Sequence, residues 1–133
     1  MRTLHLFAGS GGGMLADLLL GHRPTVAVEI EPYCRQILEA RRREGWFPDL
    51  EEIHDDVQTF QGSRWQGRID ILCGGFPCQD ISVAGKGKGL SGERSGLFFE
   101  LVRVVREVRP RLVYLENSPA ITVRGLDRVL GAL

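Results

Sequence analysis

Two short stretches of this chain carry residue types that could do covalent chemistry. The first runs from Cys73 to Ser82, Cys-Gly-Gly-Phe-Pro-Cys-Gln-Asp-Ile-Ser, and sets Cys78 directly behind Pro77. Proline fixes its own φ and holds Phe76 extended, so the approach to Cys78 is stiff. The apolar run Ile69-Asp70-Ile71-Leu72-Cys73 before it reads as a buried strand, and Gly74-Gly75 lets the backbone turn out of that strand. A cysteine just beyond a strand's carboxyl end stands where open α/β sheets place ligands and chemistry. The competing view is a buried structural thiol, the commoner fate of a free cysteine; the polar, glycine-rich surroundings argue against it. The second stretch is Glu116-Asn117, an acid and an amide at the end of the apolar run Leu112-Val113-Tyr114-Leu115.

The elements that must position these groups repeat one pattern. Leu4 to Ala8 is a short apolar strand running into Gly9-Ser10-Gly11-Gly12-Gly13, after which Met14, Leu15, Leu18 and Leu19 mark the apolar face of a helix. Strand, glycine turn and helix open a nucleotide-binding βα unit, with backbone amides free to meet a ligand at the helix start. Met14 stands where the dinucleotide fingerprint needs a small residue, which disfavours an oxidoreductase of that kind. A second strand, Thr25 to Glu29, ends in an acid 20 residues after Gly9. Such an acid can accept hydrogen bonds from ribose hydroxyls; the alternative is a solvated charge at a strand end.

Pro32 suits the first turn of the next helix, with Tyr33, Ile37, Leu38 and Ala40 as its inner face and Arg41 to Arg43 as a solvated end. A third strand, Glu51 to Asp56, delivers Asp56, which could reach an adenine amino group or be a plain turn carboxylate. Gln61 to Gly67 reads as polar loop. The stretch Ala84 to Arg94 holds four glycines with Lys86, Lys88 and Arg94, a composition that suits either a lid over a polyanion or a surface loop. Leu97, Leu101, Val104, Val105 and Val108 then mark an amphipathic helix stopped by Pro110. Ile121 to Leu133 begins another helix. Alternating strands and helices predict an open, mostly parallel Rossmann-like α/β sheet, with the candidate groups all at carboxyl ends of strands.

Composition narrows the classes. The 133 residues make one domain with a sizeable core, and 17 basic residues balance 17 acidic ones. Zero net charge gives no bulk attraction to nucleic acid or membrane, although a local basic face remains open. Three cysteines, no secretory signal and no long apolar run point to a reduced, cytoplasmic chain without a membrane span. His5, His22 and His54 lie far from the cysteines in sequence, so no metal centre is expected.

Taken in order, Phe7-Ala8-Gly9-Ser10-Gly11-Gly12, Glu29, Asp56-Val57, Gly75-Phe76-Pro77-Cys78-Gln79, Arg94-Ser95-Gly96-Leu97-Phe98-Phe99 and Glu116-Asn117 resemble the motifs of DNA cytosine-5 methyltransferases. The resemblance spans about residues 3 to 130 and looks closest to short bacterial and phage members. It implies transfer of a methyl group from S-adenosylmethionine to C5 of cytosine in DNA, with S-adenosylhomocysteine as product and no metal. Cys78 would be the nucleophile at C6, Glu116 the acid at N3, and Asn117 would hold the loop of Pro77 and Cys78. Phe7, Ala8, Gly9, Ser10, Gly11, Gly12, Glu29, Ile30, Asp56, Val57 and Pro77 would line the cofactor site, with Glu29 on the ribose and Asp56 on the adenine amine. Gln79, Ser82, Lys86, Lys88 and Arg94 fall to the nucleic-acid side, and the target base must be flipped out.

This sequence departs from the family pattern in Ile30, where an aromatic often stacks on adenine, and in Ser118-Pro119 after Glu-Asn. The main departure is length. Later strands, a target-recognition domain and a segment closing the cofactor pocket are expected in a missing C-terminal half. The catalytic domain would then be incomplete and its exposed sheet edge would invite self-association. A cytosine-5 methyltransferase acting on transfer RNA, or a degenerate S-adenosylmethionine-binding module, are the alternatives.

Overall fold

The computed structural model describes residues 1–76 and 96–117, together with Asp127, Leu130 and Gly131. Five strands form a single sheet in the order β3-β2-β1-β4-β5: β1 (Arg2–Leu6), β2 (Arg23–Val28), β3 (Glu52–His54), β4 (Ile71–Gly74) and β5 (Leu112–Leu115). Every neighbouring pair is parallel. The order reverses direction at β1, so a topological switch point lies between β1 and β4, above whose carboxyl ends open α/β sheets bind ligands.

Helices cover both faces because the strands alternate. Leu4 and Leu6 of β1, Val26 and Val28 of β2 and Leu72 of β4 turn to one face, where they meet α3 (Gly96–Val108) through Phe98, Leu101, Val104 and Val108. Trp65 and Ile69 complete this layer from the segment before β4. On the other face Ala27 packs with Met14 of α1 (Gly12–Leu19), Leu38 of α2 (Pro32–Arg43), Phe47 and Leu50. Glu31 caps α2 by accepting a hydrogen bond from Tyr33 N at 3.4 Å, and Pro32 occupies its first turn.

Three expectations need correcting. The inner face of α1 is Met14, Asp17 and in part Leu18, whereas Leu15 and Leu19 are exposed. Asp17 turns inward because His5 lies opposite it and hydrogen-bonds its carboxylate. In α2 only Leu38 is fully buried, and Tyr33 and Ala40 face outward. Residues 61–67 are not plain loop: Gly62–Trp65 form a short 3-10 turn that buries Trp65.

Candidate active site

All five strands run the same way, so their carboxyl ends share one edge, and the candidate residues gather there. After β1 the chain turns sharply: Phe7 has φ 58°, Gly9 φ 55° and Gly11 φ 93°. Gly11 must be glycine, because that φ is strained for any side chain and a Cβ would come within 2.9 Å of Leu38. Gly11 N donates to Ala8 O at 3.1 Å, and Leu15 N donates back to Gly11 O at 2.9 Å, which starts α1.

Glu29 closes this turn from the side. Its carboxylate is buried, accepting from Gly9 N at 2.7 Å through one oxygen and from Glu31 N at 2.9 Å through the other. Each oxygen keeps a second lone pair for a ligand hydroxyl. Arg35 donates to the carbonyls of Glu29 and Ile30 at 2.8 and 2.5 Å, which fixes the exit from β2 and leaves the Ile30 side chain exposed. Beyond β3, Asp56 accepts from Gln58 N at 2.9 Å in a side-chain turn, and Val57 beside it is buried.

The ends of β4 and β5 lie together. Glu116 N donates to Gly74 O at 3.1 Å, extending the ladder one step past β5. A Cβ on Gly75 would stand 3.1 Å from the Glu116 carboxylate, so glycine is what lets the acid lie against the backbone leaving β4. Asn117 Nδ2 donates to Phe76 O at 3.0 Å, and the buried Phe76 ring packs 5.3 Å from that of Phe98. Phe76 is thus held from both sides at the residue before Pro77. Pro77, Cys78, Gln79, Ser82, Lys86, Lys88 and Arg94 themselves lie outside the described residues.

A cleft of about 740 Å³ begins at this edge, bounded by Phe7, Ala8, Gly75 and Glu116, and runs down the α1 face of β1, β4 and β5. On that face stands a polar cluster that the sequence did not suggest. His5 Nε2 meets Asp17 Oδ2 at 2.6 Å, and His22 Nδ1 meets Asp17 Oδ1 at 3.2 Å. Burial opposes ionisation of Asp17, but the hydrogen bonds outweigh it and hold its carboxyl down at about 2. Cys73 lies beside them, its thiol pushed up to about 11 by burial and by the Asp17 charge. Separation along the chain had argued against histidines meeting cysteines; pairing of β1 with β4 makes His5 and Cys73 register partners. The available signal was the alternation Thr3, His5 against Leu4, Leu6 within one strand.

The order and placement of these elements recur in solved methyltransferase structures. The structure aligns with a putative DNA modification methyltransferase encoded within an E. coli prophage at a TM-score of 0.73, with 24% identity over 100% of this chain and 37% of that one. It also aligns with a putative RNA methyltransferase from Pyrococcus horikoshii at a TM-score of 0.58, with 18% identity over 92% of this chain and 52% of that one. At those identities the likeness is one of fold.

Sequence defines the family more narrowly. Residues 1–130 match the family model described as C-5 cytosine-specific DNA methylase, and the chain belongs to that family. Among its relatives, the Type II methyltransferase M.NgoMIV of Neisseria gonorrhoeae is 40% identical over 93% of this chain and 36% of its own length. M.HhaI of Haemophilus parahaemolyticus is 36% identical over 88% of this chain and 33% of its own length, and M.PspPI of Psychrobacter is 32% identical over 98% and 30%. The chain therefore spans about a third of the length of these relatives. Among the described residues no helix is long and apolar enough to cross a membrane.

Proposed function

We propose that this chain supplies the cofactor-binding and nucleophile-bearing portion of an enzyme that methylates C5 of cytosine in DNA. The observation that carries this is the junction of β4 and β5: the Glu116 carboxylate lies against Gly75, and Asn117 holds Phe76 O at 3.0 Å, one residue before Pro77-Cys78. The family description and the Type II relatives favour DNA over RNA as substrate.

The residues fit S-adenosylmethionine on the strand edge. Glu29 offers two lone pairs beside the glycine turn, which suits ribose hydroxyls. Asp56, half-exposed past β3, suits an adenine amine, and the exposed Ile30 side chain after β2 offers an apolar surface to the base. The bound cofactor supplies a methyl group on a sulfonium, which is electrophilic enough for a carbon nucleophile.

The chain's own residues create that nucleophile. Cytosine C5 is unreactive until C6 is attacked, so the Cys78 thiolate adds to C6 and pushes the electron pair towards N3 and C5. Glu116 donates a hydrogen bond or proton at N3 and stabilises the charge there, which makes C5 nucleophilic enough to take the methyl group, the broken carbon–sulfur bond leaving its electron pair on S-adenosylhomocysteine. Loss of the C5 proton to a base then expels Cys78 as thiolate, any proton on N3 returns to Glu116, and the aromatic ring is restored. Asn117 keeps the backbone before Cys78 against Glu116, so nucleophile and acid approach the same base. That base must leave the duplex to reach them. Affinity for DNA then rests on Lys86, Lys88 and Arg94 with the part of the enzyme that contacts phosphates and reads sequence.

The test is a covalent trap. DNA carrying 5-fluorocytosine cannot lose fluorine as a proton, so the chain, combined with the C-terminal portion of a relative and S-adenosylmethionine, should remain attached through Cys78. Cys78→Ser should abolish the adduct. An adduct that survives this substitution would refute the assignment.

A further inference from the structure

We propose that His5, Asp17 and Cys73 form a site for a soft divalent cation of the zinc class, on the sheet face behind the glycine turn. A ring nitrogen of His5, an Asp17 carboxylate oxygen and Cys73 Sγ all lie within 4.8 Å of one another. His5 and Cys73 are register partners on adjacent parallel strands, so the ladder itself fixes their separation. Asp17 reaches them from α1, whose buried face it shares with Met14.

One nitrogen, one carboxylate oxygen and one thiolate sulfur are a donor set for zinc, cobalt or cadmium. Magnesium and calcium want oxygen alone. Bonds of about 2.0–2.3 Å in a tetrahedron place ligand atoms roughly 3.3–3.8 Å apart. The three atoms need adjustments of about 1 Å to reach that geometry, within the range of side-chain torsions. His5 and Asp17 separate slightly, and Cys73 moves in.

The surroundings already restrain the ligands. Asp17 Oδ1 is held by His22 at 3.2 Å, the sort of outer partner that orients a metal-binding carboxylate. The His5 ring lies against Gly13, where a Cβ would stand 3.3 Å from its Nδ1 and Cε1. Thr3 is wholly buried on the same face, and its hydroxyl has no hydrogen-bond partner among the described residues. The cleft borders all three ligand residues.

Coordination releases the Cys73 thiol proton to solvent and moves the His5 ring proton to Nδ1, so that Nε2 binds the ion. The metal would then staple β1, β4 and α1 together. This site takes no part in methyl transfer, and the proposal stands or falls separately from that function.

Cobalt(II) titration of the metal-stripped chain tests it. One equivalent should give visible bands of tetrahedral intensity with a near-ultraviolet thiolate-to-cobalt band, and zinc should displace both. Cys73→Ser should lose the thiolate band; Cys34→Ser and Cys78→Ser should keep it. Asp17→Asn should weaken binding about tenfold or more. The wild-type chain gives an independent measurement: zinc should slow alkylation of Cys73, followed by peptide mass spectrometry, and leave Cys34 unchanged. Absence of a thiolate band, a band that persists in Cys73→Ser, or alkylation of Cys73 indifferent to zinc would overturn the proposal.

Discussion

Arg103 is the residue whose removal should cost the fold most for a partly exposed side chain. It projects from α3 and donates to Val57 O at 2.6 Å and Phe60 O at 3.0 Å, across more than 40 residues of chain. The same guanidinium meets Glu100 at 2.6 Å and Glu107 at 2.7 Å, and Glu107 in turn accepts from Gly62 N at 2.8 Å. One side chain thus clamps the segment that follows Asp56 onto the helix that follows the Cys78 stretch. Charge-assisted hydrogen bonds to carbonyls contribute on the order of 1.5 kcal/mol each. Two partly exposed ion pairs add roughly 0.5 kcal/mol apiece. Arg103→Met keeps the aliphatic stem and loses all four contacts, so the loss should be about 3–4 kcal/mol, a 10²–10³-fold change in the folding equilibrium. Arg103→Lys keeps the charge but lacks the fork, and should lose about half as much. Urea unfolding followed by circular dichroism measures both, with a lower midpoint at unchanged slope. A loss below about 1 kcal/mol for Arg103→Met is what the surface ion pairs alone would give. That result would refute the idea that the carbonyl contacts clamp the segment.

Three further outcomes follow from the strand edge. Glu29→Ala removes the acceptor for Gly9 N and Glu31 N, and should abolish S-adenosylmethionine binding in calorimetric titration; unchanged binding would place the cofactor elsewhere. Glu116→Gln should leave the fold intact and slow methyl transfer, in enzyme completed with a C-terminal portion, by roughly 10²–10⁴-fold. On β5, the edge strand of the described sheet, Leu112 and Tyr114 are 54% and 66% exposed, so the chain alone should self-associate in sedimentation velocity. Leu112→Lys with Tyr114→Lys should shift it towards monomer, and a wild-type chain that is monomeric at tens of micromolar would contradict this.

The element order was legible because each strand of this sheet is short, apolar and followed by its own punctuation. Leu112 to Leu115 is a strand with the expected bounds, and α3 ends at Val108, two residues before Pro110. The ends of the other strands shifted by one or two residues, in β1 because hydrophobicity continues past the last ladder bond. Phe7 and Ala8, for instance, are apolar but already in the turn, where Phe7 takes φ 58°. Helix faces were harder. Counting leucines in α1 nominated Leu15 and Leu19, since apolarity alone cannot show that an aspartate is the residue with a buried partner. Glu29, Asp56, Glu116 and Asn117 could be placed on one edge from the sequence because a parallel sheet puts every strand's carboxyl end there.

What remained illegible required knowing which strands are neighbours. β1 and β4 are separated by more than 60 residues, yet the switch in strand order sets them side by side. Only that adjacency turns a histidine in one strand and a cysteine in another into a pair. The same holds for Arg103, which in sequence is one basic position on an amphipathic helix and in space reaches two carbonyls of another segment. The two cases divide the molecule. Groups on the strand edge follow from the βα repeat and can be found one unit at a time. Groups on the sheet faces follow from strand order, and a chain whose motifs name its chemistry can therefore still hide a second site beneath the first.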